Sequence, residues 1–136
     1  MTYEEYLKTR NKYKIEREKK ILAEDTRRLN SIPPETQEKI FVWIKANVFP
    51  SQSSVLMESS SYGMKHVLED RMGLYMTNNQ FKEAMLRCGF FPIDSQWLNW
   101  YYKILKSSPI YKEQKDGRRG LYIPECDTRE KFPLWR

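Results

Sequence analysis

The sequence predicts an α+β fold, mainly helical, in which one domain follows a long charged N-terminal helix. Three observations carry that prediction. Thr2 with Glu5 and Thr77 with Gln80 have capping-box spacing, the arrangement in which side chains satisfy the orphan N–H groups of a first helical turn. Gly73 and Gly89 stand just past two segments of helical apolar period, where a left-handed stop is expected. From Trp97 onward the pattern changes to aromatic and β-branched runs around a glycine turn, which favours extended chain.

Taken in order, residues 2–29 read as one helix without Gly or Pro. Its apolar positions form a thin stripe, Tyr3, Tyr6 and Tyr13, then Ile15, Leu22 and Leu29 at seven-residue steps. A stripe so narrow suits a surface arm or a partner helix better than a core. Tyr6, Tyr13, Ile15, Leu22 and Leu29 are therefore the candidate partner-binding residues, including for a homodimer. The domain is expected over 31–123, with 1–30 as the basic helix and 124–136 as a tail. Residues 35–48 place Ile40, Phe41, Ile44 and Val48 on one helical face, after Pro33 and Pro34 in a first turn, where a missing N–H costs nothing. A Ser-rich loop, 51–60, leads into a helix from about Ser61 to Met72 with Met64, Val67, Leu68 and Met72 inward. Leu74–Met76 reads as a brief strand. Residues 78–88 read as a capped helix with Phe81, Ala84, Met85 and Cys88 inward. Residues 97–105 (WLNWYYKIL) read as a strand, 121–123 as its partner, and Lys115-Asp-Gly117 as the turn between them.

Composition bounds the chemistry. The chain has 136 residues, 40% of them hydrophobic and 14% aromatic, enough for one modest core and against disorder throughout. The longest apolar run, Ile40–Ile44, is far short of the ~20 residues of a membrane span. The first residues are charged, with no apolar h-region, so the protein is expected to stay in the cytoplasm, with no membrane partner. Cys88 and Cys126 have no CxxC spacing and are expected as reduced thiols. The formal net charge of +6 favours polyanionic partners or acidic protein surfaces.

The order helix, helix, short strand, capped helix, strand, basic loop, strand is that of a winged helix. On that reading 78–88 is the recognition helix and 106–120 the wing. The candidate nucleic-acid-binding residues are Asn78, Asn79, Lys82 and Arg87 on the helix, and Lys112, Lys115, Arg118 and Arg119 in the wing. Asn pairs bidentately with adenine, while Arg and Lys serve guanine edges or phosphates. The same residue types also cap and solvate ordinary helices and hairpins, and winged helices serve as protein-binding modules too.

Catalytic patterns are thin. His66 is the single histidine, too few for a metal cage, and the cysteines lack ligand spacing. No phosphate-cradling glycine motif occurs. The reading is a non-enzyme without metal or cofactor. The aromatic run Trp97, Trp100, Tyr101 and Tyr102 suits core packing better than a base-stacking platform.

The stretches Ser60-Ser-Tyr-Gly-Met-Lys-His66, Tyr75-Met-Thr-Asn78, Gln80-Phe-Lys-Glu-Ala-Met-Leu86 and Asn99-Trp-Tyr-Tyr-Lys-Ile104 resemble small uncharacterised proteins of prophages and integrative elements in Gram-positive bacteria. The resemblance covers about residues 36–105 and brings no catalytic or binding residues with it. It implies a mobile-element protein of a bacterial cytoplasm: a regulator, a replication accessory, or an inhibitor of a host defence such as a CRISPR nuclease. Two functions follow as expectations. One is DNA or RNA binding through the winged-helix-like surface. The other is an anti-CRISPR-like inhibitor that binds a host nucleoprotein such as a CRISPR effector; its basic balance argues against mimicry of DNA.

Overall fold

The computed structural model describes residues 27–52 and 60–129, and these form a mainly helical body. Its three α-helices are α1 (Pro34–Asn47), α2 (Ser61–Met72) and α3 (Asn78–Arg87). Single 3-10 turns occur at Leu29–Ser31, Pro109–Tyr111 and Pro124–Cys126.

Local chemistry sets the helix ends. Pro34 opens α1 at its first position. The Ser60 hydroxyl accepts the Gly63 N–H at the start of α2. Thr77 and Gln80 close the expected capping box on α3: Gln80 N–H to Thr77 Oγ1 at 3.0 Å and Thr77 N–H to Gln80 Oε1 at 2.8 Å. At the far end of α2, Gly73 takes φ 68°, a left-handed conformation that side chains resist. A Cβ there would also collide with the Arg129 side chain at 1.9 Å.

The core joins the three helices. Ile40, Trp43 and Ile44 of α1, Met64, Leu68 and Met72 of α2, and Phe81, Ala84 and Met85 of α3 are buried together with Leu74, Met76, Tyr102 and Ile104. Helix α3 packs on both α1 and α2 and on the 29–31 turn. Trp43 is inward where the apolar period placed Phe41, which is half-buried. The reason is long-range: the Trp43 indole N–H donates to Leu121 O at 3.1 Å. Val67 is likewise only partly buried.

The extended segments differ from expectation. Residues 97–105 form no continuous strand; they make isolated antiparallel bridges, Ser60 with Tyr101 and Pro50 with Ile104. Their backbone groups go to the two ends of the α1–α2 connection: Ser61 N–H to Trp100 O, Ser51 N–H to Lys103 O and Leu105 N–H to Phe49 O. Leu74–Met76 forms no strand, and 121–123 pairs with no strand. What does form is a hairpin over 112–120. Gln114 N–H donates to Arg118 O, Gly120 N–H to Lys112 O, and Glu113 bridges Arg119. The expected Lys115-Asp116-Gly117 turn is its loop.

Residues assigned by sequence to a tail pack into the body: Cys126 and Thr128 are buried, and Thr128 N–H donates to Met72 O at 2.9 Å. Asp127 bonds Arg129 and the Tyr122 hydroxyl, and Arg129 holds its carboxyl below the ordinary carboxylate range. Leu29, expected on a partner-binding stripe, is a core residue, and it opens a 3-10 turn in place of a helical last turn. The rest of the expected N-terminal helix, with Tyr6, Tyr13, Ile15 and Leu22, lies outside the described residues, as do 53–59 and 130–136. No helix among the described residues is long and apolar enough to cross a membrane.

Asn47, fully buried at the end of α1, ties the hairpin's exit strand to the core. Its Oδ1 accepts Leu121 N–H, its Nδ2 donates to Trp43 O, and a Cβ on Gly120 would stand 3.1 Å from that same Oδ1. Asn47→Ala removes the acceptor from a partly buried backbone N–H, so unfolding free energy is expected to fall by about 1–3 kcal/mol. Chemical denaturation, read as a midpoint shift at constant slope, checks this.

Candidate nucleic-acid interface

The eight residues proposed to bind nucleic acid fall into two groups with different surroundings. On α3, Asn78 is 3% exposed and Lys82 9% exposed, so neither is an outward base reader. Asn78 Nδ2 donates to Asn99 Oδ1 at 2.9 Å. Lys82 Nζ lies 4.8 Å from the centroid of the Trp100 ring, a cation–π contact. Both side chains point inward because residues 99–100 pack over the first turn of α3, and no helical period reveals that. Asn79 is half-buried and Arg87 exposed. Glu83, on the same helix, pairs with Arg28. Helix α3 is thus mainly a packing element.

The hairpin residues Lys112, Lys115, Arg118 and Arg119 are all exposed. The hairpin is fastened to α2 by two ion pairs. Arg71, 4% exposed, donates from Nη1 to Asp116 Oδ2 at 2.9 Å and to Oδ1 at 3.2 Å. Arg118 approaches Asp70 at 3.7 Å. The Arg118 N–H and the Arg71 guanidinium hold the Asp116 carboxyl below the usual carboxylate range. With Asp116 occupied by Arg71, no carboxylate among the described residues pairs with Lys112, Lys115 or Arg119. The result is an anchored turn that presents these three cations. Its anchors are on α2, and its exit strand is tied to α1 through Asn47; none of these anchors is on α3.

A second cluster lies on the outer face of α2. Tyr62 and His66 meet edge to face, with ring centroids 4.4 Å apart. Lys65 Nζ sits 5.1 Å from the Tyr62 ring and 5.5 Å from the Tyr75 ring, and Arg27 stacks over Tyr75 at 5.4 Å. Lys65 bonds Glu69 at 2.7 Å, so Glu69 is a buried counter-ion. The His66 pKa is lowered by partial burial and then by Lys65, while Glu69 pulls it the other way. Sequence reading passed over this cluster, although the i,i+4 spacing of Tyr62 and His66 places them on one helical face.

The cysteines stand apart from His66. Cys88 Sγ faces Phe41 O and Cys126 Sγ faces Lys39 O, and both thiols are free. Burial raises both, Cys126 to about 11. Among the described residues no three His, Cys, Asp or Glu side chains gather as metal ligands.

No family model, no curated protein and no solved structure matches the chain, so a functional reading rests on these side chains.

Replacing Arg71 by Met keeps the buried volume and removes the guanidinium that holds Asp116. Helical circular dichroism is expected to stay unchanged, while trypsin cuts after Lys115, Arg118 and Arg119 several-fold faster, resolved by mass spectrometry of the fragments. Equal cleavage rates would show that the ion pair does not fasten the turn.

Proposed function

We propose that this chain binds nucleic acid, alone or within a nucleoprotein, through the basic hairpin over 112–120, and that it catalyses no reaction. The observation that carries the reading is the hairpin's combination of anchorage and charge: Asp116 is taken by Arg71, while Lys112, Lys115 and Arg119 face solvent and pair with no carboxylate among the described residues. Cations held in place lose little further freedom on meeting phosphate, and each contact releases condensed counterions.

Three helices followed by a basic hairpin are the part of a winged-helix-like order that supports this relationship, with the hairpin standing for the wing, while the strands expected at 74–76, 97–105 and 121–123 do not form. In that comparison α3 occupies the recognition-helix place, yet its Asn78 and Lys82 are already engaged by Asn99 and Trp100. Contact is therefore assigned to the wing, with phosphates as its principal targets, and sequence selectivity is expected to be weak. The SYGxKH, TNxQFKxAML and NWYYKI segments support a mobile-element protein acting in a bacterial cytoplasm.

A second reading, inhibition of a host nuclease complex by protein contact, has one observation in its favour. Phe91, just past α3, is the most exposed of the large apolar side chains described, and exposed aromatic residues are enriched at interface hot spots.

The first reading predicts a salt signature. Full-length protein with Lys112, Lys115 and Arg119 all changed to Ala is expected to bind single-stranded oligonucleotides about tenfold or more weakly. The slope of log affinity against log salt should flatten by about 2, roughly 0.7 for each of three lost phosphate contacts. Fluorescence anisotropy over a salt series measures both. An unchanged slope would remove the hairpin from the interface.

A further inference from the structure

Beside the hairpin, the Tyr62–His66–Tyr75 cluster has a composition that fold stability alone does not call for. Tyr62 and Tyr75 are 41% and 38% exposed, and the His66 side chain is also solvent-facing. Three rings are held on one patch, and cations are interleaved between them: Lys65 between Tyr62 and Tyr75, and Arg27 beyond Tyr75. Lys65 is buried and its charge is matched by Glu69. It therefore acts as a spacer that fixes the two tyrosine rings rather than as a free cation on the surface.

Position links this patch to the hairpin. Tyr62, His66 and Asp70 follow one another at four-residue intervals along α2, and Asp70 meets Arg118 of the hairpin. At 1.5 Å rise per residue Tyr62 and the hairpin anchor at Asp70 are separated by about 12 Å along the helix, a span of a few nucleotides. One face of α2 thus begins in aromatic rings and ends at Asp70, where Arg118 brings the basic hairpin alongside. A single strand offers the complement, bases whose π-faces are unpaired and a backbone of negative charge. A duplex hides those faces in its stack.

We infer that Tyr62, His66 and Tyr75 form a base-stacking platform that, with the hairpin, selects single-stranded nucleic acid over duplex. The inference rests on the nucleic-acid reading of the hairpin and specifies its substrate. The rings take one or two unpaired bases, while Lys112, Lys115 and Arg119 take the phosphates that follow. Lys82 over Trp100 is a neighbouring cation–ring contact but belongs to the packing of α3 and is not part of the platform.

The test uses the full chain and three labelled probes: a thymidine dodecamer, a dodecamer of abasic sites with the same phosphates, and a twelve-base-pair duplex. Wild type is expected to prefer the thymidine strand to both others by about tenfold. Tyr62→Ala should remove that preference, lowering affinity for the thymidine strand about tenfold with no change in salt slope, while Tyr62→Phe, which keeps the ring, binds as wild type. The Lys112/Lys115/Arg119 triple alanine variant should weaken all three probes. Two results would overturn the platform while leaving the hairpin reading intact: equal wild-type affinity for the thymidine and abasic strands, or a Tyr62→Ala protein that keeps the preference. Salt-independent binding, or no binding, to any probe would overturn both readings.

Discussion

The guanidinium of Arg71 is taken almost wholly out of water and then offered to a carboxylate that is not. A buried cation is costly unless it is paired and hydrogen-bonded. Asp116 supplies the pairing with two hydrogen bonds from Nη1, and the Tyr122 ring lies 5.7 Å from the guanidinium carbon. Because the Arg71 Nε has no hydrogen-bond partner, the pair with Asp116 carries most of the compensation. The carboxylate belongs to the hairpin turn, so satisfying Arg71 requires the turn to sit against α2. The position of every hairpin cation depends on this one constraint, and Asn47 repeats it from α1 by accepting Leu121 N–H just beyond the hairpin.

The same economy explains what α3 does. A helix with Asn78, Asn79, Lys82 and Arg87 looks outward-reading when polar residues are counted as exposed. Here its first turn lies under Asn99 and Trp100, and two of those four side chains are used internally. Helix α3 serves as the brace between α1 and α2. The inward Lys65–Glu69 pair belongs to the same pattern. It is an i,i+4 pair of the kind that ordinarily lies in water, drawn inside and capped by two tyrosine rings.

How much of this was legible in the sequence depends on range. The helices ended where local chemistry said they would: the Thr77–Gln80 box, the Gly73 stop and Pro34 at a first turn act within a few residues and need no tertiary partner. Trp43 in place of Phe41 was not legible, because its burial is fixed by a hydrogen bond to Leu121, 78 positions away. The aromatic run over 97–105 has strand composition but not strand structure, since its backbone groups are claimed singly by residues near 50 and 60. The turn at 115–117 was legible and its anchor was not; nothing local marks Arg71 as buried or Asp116 as its partner. Of the candidate site, the hairpin cations came from sequence, whereas the platform of Tyr62, His66 and Tyr75 needed the fold to bring position 75 beside 62.

In the proposed mode of binding, the outer face of α2 and the hairpin meet the ligand while α3 braces the core. Backbone amide chemical shifts, followed during titration with a single-stranded dodecamer, address it residue by residue. Shifts are expected to concentrate at Tyr62, His66, Tyr75 and 112–119, with Asn79, Glu83 and Arg87 unmoved. Shifts concentrated on α3, with the hairpin silent, would contradict that mode.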